Sequence, residues 1–189
     1  MNYIKTKKNS YIIISILLLQ ILIGCKRASS SRQDKVIAQR YADTANKYMV
    51  ENKYDLALSY LDKAITHDTI SADYFHNRGV VKSQLEKHKE AILDFDKALD
   101  KYTVYTYDKG EAESYCMRGA NYQSMGLYEK ALEDYTKAVT IDTINTNCIV
   151  LRANLYFKMG DTLRACEDWK KAKSLGDDWG RGDIRLYCK

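Results

Sequence analysis

Ala131-Leu132-Glu133-Asp134-Tyr135-Thr136-Lys137-Ala138 is the stretch that decides the fold, because it recurs. Ala91-Ile92-Leu93-Asp94-Phe95-Asp96-Lys97-Ala98 and Ala165-Cys166-Glu167-Asp168-Trp169-Lys170-Lys171-Ala172 superpose on it residue by residue. Ala57-Leu58-Ser59-Tyr60-Leu61-Asp62-Lys63-Ala64 is a fainter copy. The closing alanines are 34, 40 and 34 residues apart. A period of that size means stacked supersecondary units, each burying its apolar face on the next, and such stacks present an extended surface to other molecules.

Each unit reads as two helices. Apolar or small residues recur at three- and four-residue steps through Tyr115–Met125 and Tyr128–Thr140, which marks one buried face on each segment. Gly126 and Gly160 sit where the chain must reverse between helices. The alanine pairs let helix axes approach to about 8–10 Å.

The pattern resembles the tetratricopeptide repeat. In the third copy Tyr115, Gly119, Tyr122, Gly126, Tyr128, Ala131, Tyr135 and Ala138 stand on the family's signature positions. The resemblance implies an all-α fold: a right-handed α-solenoid of about four helix pairs, over 38–71, 72–105, 112–145 and 146–179, with a C-terminal capping helix in 180–189. The chain departs from the family in several places. It has no proline, and Thr69, Thr103, Thr143 and Asp177 stand where the family's proline is usual. The first copy carries Ala45 for glycine and Asn52 at the turn. Six residues, Thr106–Glu111, are inserted between copies two and three, and Asp108-Lys109-Gly110 predicts a loop there.

Arg78, Arg118 and Arg152 each precede an aspartate, Asp94, Asp134 and Asp168, by 16 residues. The first copy has Thr44 and Tyr60 and lacks both partners. Joint presence and joint absence predict an ion pair joining the two helices of a unit.

The N-terminus is of another kind. Lys5, Lys7 and Lys8 precede an apolar run, Ile12–Ile23, broken only by Ser15 and Gln20. Its 12 residues fall short of the ~20 a membrane-spanning helix needs and fit the core of a signal peptide. The run ends in Leu22-Ile23-Gly24-Cys25, which resembles a bacterial lipoprotein signal. That resemblance implies cleavage before Cys25, acylation of Cys25 and attachment to a membrane. Residues 1–24 are then the signal, and 25–37 a flexible tether. The absence of an acidic residue after Cys25 leans towards the outer membrane. Without residues 1–24, 27 basic residues face 25 acidic ones. The two signs interleave along the repeats, so no basic stripe for nucleic acid is present.

An oxidising envelope compartment permits disulfides. Of the three complete pairings open to the four remaining cysteines, Cys166 with Cys188 would staple the tail onto the last repeat, contributing roughly 3 kcal/mol in the entropy model. Four reduced cysteines in small core sites are the other reading. In the tail, Ile184, Leu186 and Tyr187 are the expected packing residues of the cap. His67, His76 and His88 show no metal-ligand spacing and read as surface residues. Tyr102, Tyr105 and Tyr107 flank the insertion, as a contact patch or as packing under the loop. No nucleophile, phosphate-loop or metalloprotease motif occurs. No enzyme, metal or cofactor is therefore expected.

By the tetratricopeptide resemblance, the first helices line a groove. Its expected lining is Asn46, Met49, Val50, His76, Val80, Ser83, Gln84, Ala120, Gln123, Asn154 and Phe157. Some members of the family grip a terminal carboxylate with cations, but Ala42, Glu113 and Met117 supply none. Met49, Val50 and Phe157 suit a helix or extended peptide with apolar anchors. The expected function is a protein or peptide scaffold of the bacterial cell envelope. An accessory module binding envelope glycan or an enzyme's substrate is the alternative.

Overall fold

The computed structural model describes residues 31–102, 109–177 and 185–188. The signal segment, Cys25, Tyr105, Tyr107 and Ile184 lie outside the described residues. Within them the chain is all-helical. The first helix, α1, covers 31–50. It is followed by α2 (Tyr54–His67), α3 (Ala72–Gln84), α4 (His88–Leu99), α5 (Lys109–Ser124), α6 (Tyr128–Ile141), α7 (Thr146–Lys158) and α8 (Thr162–Ser174). From α2 onward each helix packs on its chain neighbour, and α5 also touches α3 and α7. First helices therefore line up beside first helices, as a stack of helix hairpins requires. No described helix is long and apolar enough to cross a membrane.

The recurring alanines form the seam of each hairpin. Ala57, Ala64, Ala91, Ala98, Ala131, Ala138 and Ala165 are fully buried, and Ala172 nearly so. Between each pair, one large side chain fills the hairpin: Leu61, Phe95, Tyr135 and Trp169, none more than 1 % exposed. The small residue of the first helix faces it. A Cβ at Gly79 would lie 2.9 Å from the Phe95 ring, and one at Gly119 3.0 Å from the Tyr135 ring. In the first copy Leu61 replaces the ring, and Ala45 takes the glycine's place at full burial.

The hairpin turns share one backbone solution. Gly126 and Gly160 adopt φ +76° and +88°, a left-handed conformation that glycine enters without steric cost. Asn52 and Glu86 take the same place with φ 55° and 58°. The sequence marks Asn52 as a turn residue. It does not mark Glu86, which is forced into this conformation by the hairpin that it closes.

Three expectations need correction. Helix α1 already includes residues 31–37, so that part of the expected tether is helical. Lys109, Gly110 and Glu111 belong to α5 and not to a loop. Gly110 lies under Tyr102, whose Oη would be 2.5 Å from a Cβ there, and Ser114 Oγ donates to Gly110 O at 2.8 Å. The close aromatic contact thus makes glycine tolerable inside a helix. The described tail holds one helical turn at 185–187, with Leu186 and Tyr187 68 % and 48 % exposed. The tail is held instead by a Cys166–Cys188 disulfide, Cα to Cα 5.4 Å. The Tyr187 ring packs, tilted by 45°, 4.6 Å from that of Phe157, which itself lies 5.5 Å from Trp169. Cys116 and Cys148 are free and buried.

The arginines join the hairpins. Arg118 donates from Nε and Nη2 to both carboxylate oxygens of Asp134 at 2.7 Å. Arg78 does the same to Asp94 at 2.8 and 2.6 Å, and Arg152 to Asp168 at 2.7 and 2.8 Å. These are bidentate, charge-assisted pairs. The third nitrogen reaches the preceding repeat: Arg118 Nη1 donates to Asp96 at 2.6 Å, and Arg78 Nη1 to Asp62 at 2.7 Å. Thr136 holds the equivalent place before Arg152, so that link is missing. Burial opposes the charge on Arg118, but its bonds to Asp134 and Asp96 outweigh this and hold it more firmly protonated than usual.

Asp134 is 3 % exposed and Asp96 44 %. Arg118→Ala would strand a buried carboxylate and is expected to cost ~3–5 kcal/mol of unfolding free energy. Asp96→Ala removes an exposed partner and is expected to cost under about 1 kcal/mol. Equal losses in urea melts of the two variants would contradict this division.

Candidate partner-binding cleft

Two buried polar links fasten repeat two to repeat three. Asn121, 2 % exposed, donates its amide to Ser83 Oγ at 2.7 Å and to Met117 O at 2.8 Å. Its carbonyl oxygen is then the acceptor for His88 Nδ1 at 2.9 Å. His76 Nδ1 lies 2.8 Å from Ser114 Oγ. Ser114 donates its proton to Gly110 O, so Nδ1–H of His76 is the donor and Nε2 keeps its lone pair. His76 is 9 % exposed, and its reading as a surface residue is overturned, while His88 is half-buried. The alternation of His76 with Gly79 on one helical face was the signal available in the sequence, but the serine that receives it lies 38 residues away.

Beside His76 the first helices enclose a cleft of about 420 Å³. Gln39, Asn46 and Met49 come from α1, and Asp73, His76, Asn77 and Val80 from α3. Tyr102, Gly110 and Glu113 close it from the α5 side. Tyr74 Oη donates to Gln39 Oε1 at 3.2 Å, and Asn77 Nδ2 to Asn46 Oδ1 at 3.4 Å, tying α3 to α1. The extension of α5 by Lys109–Glu111 brings Gly110 to this edge, beside Glu113.

Of the expected groove residues, this cleft gathers Asn46, Met49, His76 and Val80. Several others are engaged in holding the stack together. Ser83 receives Asn121, Gln123 Oε1 accepts from Tyr135 Oη at 3.0 Å, and Asn154 Oδ1 accepts from Trp169 Nε1 at 2.9 Å. Phe157 carries Tyr187. Val50, at the end of α1, is 84 % exposed, while Gln84 is exposed and Ala120 half-buried. The structure therefore concentrates the open lining at the first two repeats. Tyr102, which flanks the insertion, joins the site from outside the first helices.

No set of three or more His, Cys, Asp or Glu able to hold a metal ion occurs among the described residues. Cys116 and Cys148 hydrogen-bond to one another, and this bond and burial push the Cys148 thiol far up, away from a reactive thiolate.

Residues 68–144 match the family model of the tetratricopeptide repeat, so this segment carries tetratricopeptide repeats. It is similar to a small glutamine-rich tetratricopeptide repeat-containing protein of Dictyostelium discoideum, 31 % identical over 117 residues, which are 62 % of this chain and 33 % of that protein. The chain spans at most about a third of the length of the first such relatives. Among solved structures, YrrB, a TPR protein with an unusual peptide-binding site, superposes with a TM-score of 0.63 at 22 % identity, covering 84 % of this chain and 76 % of YrrB. The Pseudomonas aeruginosa PilF structure gives 0.69 at 19 % identity, covering 86 % and 76 %. At these identities the structures show the fold alone.

Burial pushes the His76 imidazole below its ordinary value of 6.5, against the opposing pull of Glu113 and Asp73. A depressed folded value means that the unfolded chain binds the extra proton first. Stability from this group is therefore full above about pH 6.5 and is lost as pH falls through the lower folded value. His76→Asn keeps a donor for Ser114 and removes the titration. Its melting temperature is expected to fall less than that of the unaltered chain between pH 7.5 and 5.5. Parallel curves would show that His76 does not titrate in this way.

Proposed function

We propose that this chain is a membrane-anchored scaffold of the bacterial cell envelope, which holds a short segment of another protein in the cleft between α1, α3 and the start of α5. The observation that carries the reading is the cleft itself. Asp73, Asn77 and Glu113 border it together with apolar Met49 and Val80, the mixture that suits an extended peptide. Tetratricopeptide proteins mediate protein–protein contacts, and the peptide-binding site of YrrB and the HSP90 peptide bound to the first TPR of Spaghetti support a peptide as the ligand class.

The anchor rests on the sequence. The run from Ile12 that ends in Leu22-Ile23-Gly24-Cys25 directs export and acylation of Cys25. Several acyl chains, each buried methylene contributing about 0.8 kcal/mol, hold a small domain on a membrane, with the outer membrane favoured. A Cys166–Cys188 disulfide suits the oxidising compartment that this route leads to.

Photo-crosslinking in cells tests the cleft, with the probe at Val80 and a control at Lys97, an exposed residue of α4. A discrete protein captured from Val80 and not from Lys97 is the expected result; equal labelling from both would remove the cleft as the binding site. For the anchor, Cys25→Ser is expected to move the chain from the membrane pellet to the soluble fraction and to abolish incorporation of a palmitate analogue. Retention of both would end the lipoprotein reading.

A further inference from the structure

We propose that the cleft receives a lysine or arginine side chain of the partner's extended segment. This rests on the scaffold reading above and adds the chemistry of what is bound. Asp73 and Glu113 are the charged residues that line the cleft, and no lysine or arginine lines it among the described residues. Both acids are close enough to act on His76. Asp43, which accepts from Gln39 Nε2 at 2.8 Å, adds a third carboxylate beside the α1 wall.

The uncharged lining points the same way. The Nδ1 proton of His76 is held by Ser114, so the ring can only accept at Nε2. Asn77 donates an amide proton to Asn46 and keeps its own carbonyl oxygen as an acceptor. A guanidinium or ammonium group, which only donates, meets acceptors and negative charge on two sides. Met49 and Val80 offer apolar contact to its methylene stem. A segment ending in a carboxylate would meet like charge at Asp73 and Glu113, which costs affinity and so excludes it. The family resemblance allowed for cations at this edge of the groove, and Glu113 reverses the sign there.

Panning the full chain, held in detergent micelles, against displayed random dodecapeptides is expected to enrich sequences with lysine or arginine next to an apolar residue. An enriched arginine peptide, N-acetylated and C-amidated, is expected to bind about tenfold more tightly than its citrulline twin, which keeps the shape and loses the charge. Asp73→Asn with Glu113→Gln, both at exposed positions, is expected to reduce that preference to about twofold with the melting temperature unmoved. Enrichment of peptides without basic residues, or equal binding of the citrulline twin, would overturn the cationic ligand and leave the scaffold reading standing. No enrichment over a folded Val80→Arg variant, whose side chain would fill the cleft, would overturn both.

Discussion

Close approach of the two helices in each hairpin is the constraint on which the rest depends. The alanine seam is buried completely, and at Gly79 and Gly119 even a methyl group would press on the ring opposite. Packing of this closeness leaves one large side chain per hairpin, and that residue sets the distance between helices. Ala45 and Ala153 take the glycine's place in the first and last hairpins, both fully buried. The geometry repeats because the contact repeats, and the stack follows from laying one such hairpin on the next.

The arginines join the two helices of a hairpin and tie the first three units to one another. Each guanidinium grips its own unit's aspartate in a two-pronged pair, and two of the three extend a third bond to the unit before. The buried aspartates would be a liability alone, since a carboxylate taken out of water needs full compensation. The pairs within a unit were legible, because Arg and Asp keep a constant spacing of 16 residues. The links between units were not, because Asp62 and Asp96 are separated from their arginines by a distance that the insertion changes, and Thr136 breaks the series.

Polar residues that looked available for a ligand divide into two kinds. Ser83, Gln123 and Asn154 are already bonded within the stack, which leaves the open acceptors near α1 and α3. His76 read as a surface residue because nothing near it in sequence suggests a partner. Ser114 meets it near the start of α5, where the helix extends by less than one turn, Lys109–Glu111, into the supposed loop, over Gly110. That extension also delivers Gly110 to the cleft, beside Glu113. The insertion between repeats two and three thus shapes the site, in place of merely interrupting the period.

The sequence by itself determined the helix pairs, their seam, their turns at glycine and the intra-unit ion pairs. Each of these depends on spacing within about one repeat, and helical periodicity carries that information directly. Tertiary structure decided which side chains remain open, since that depends on hydrogen bonds between different helices, 12 to 38 positions apart. It also decided that Glu86 must adopt a left-handed turn and that the tail is held by one disulfide and one ring contact. Local pattern specifies what each unit is. Only the stacked units determine what their shared surface offers.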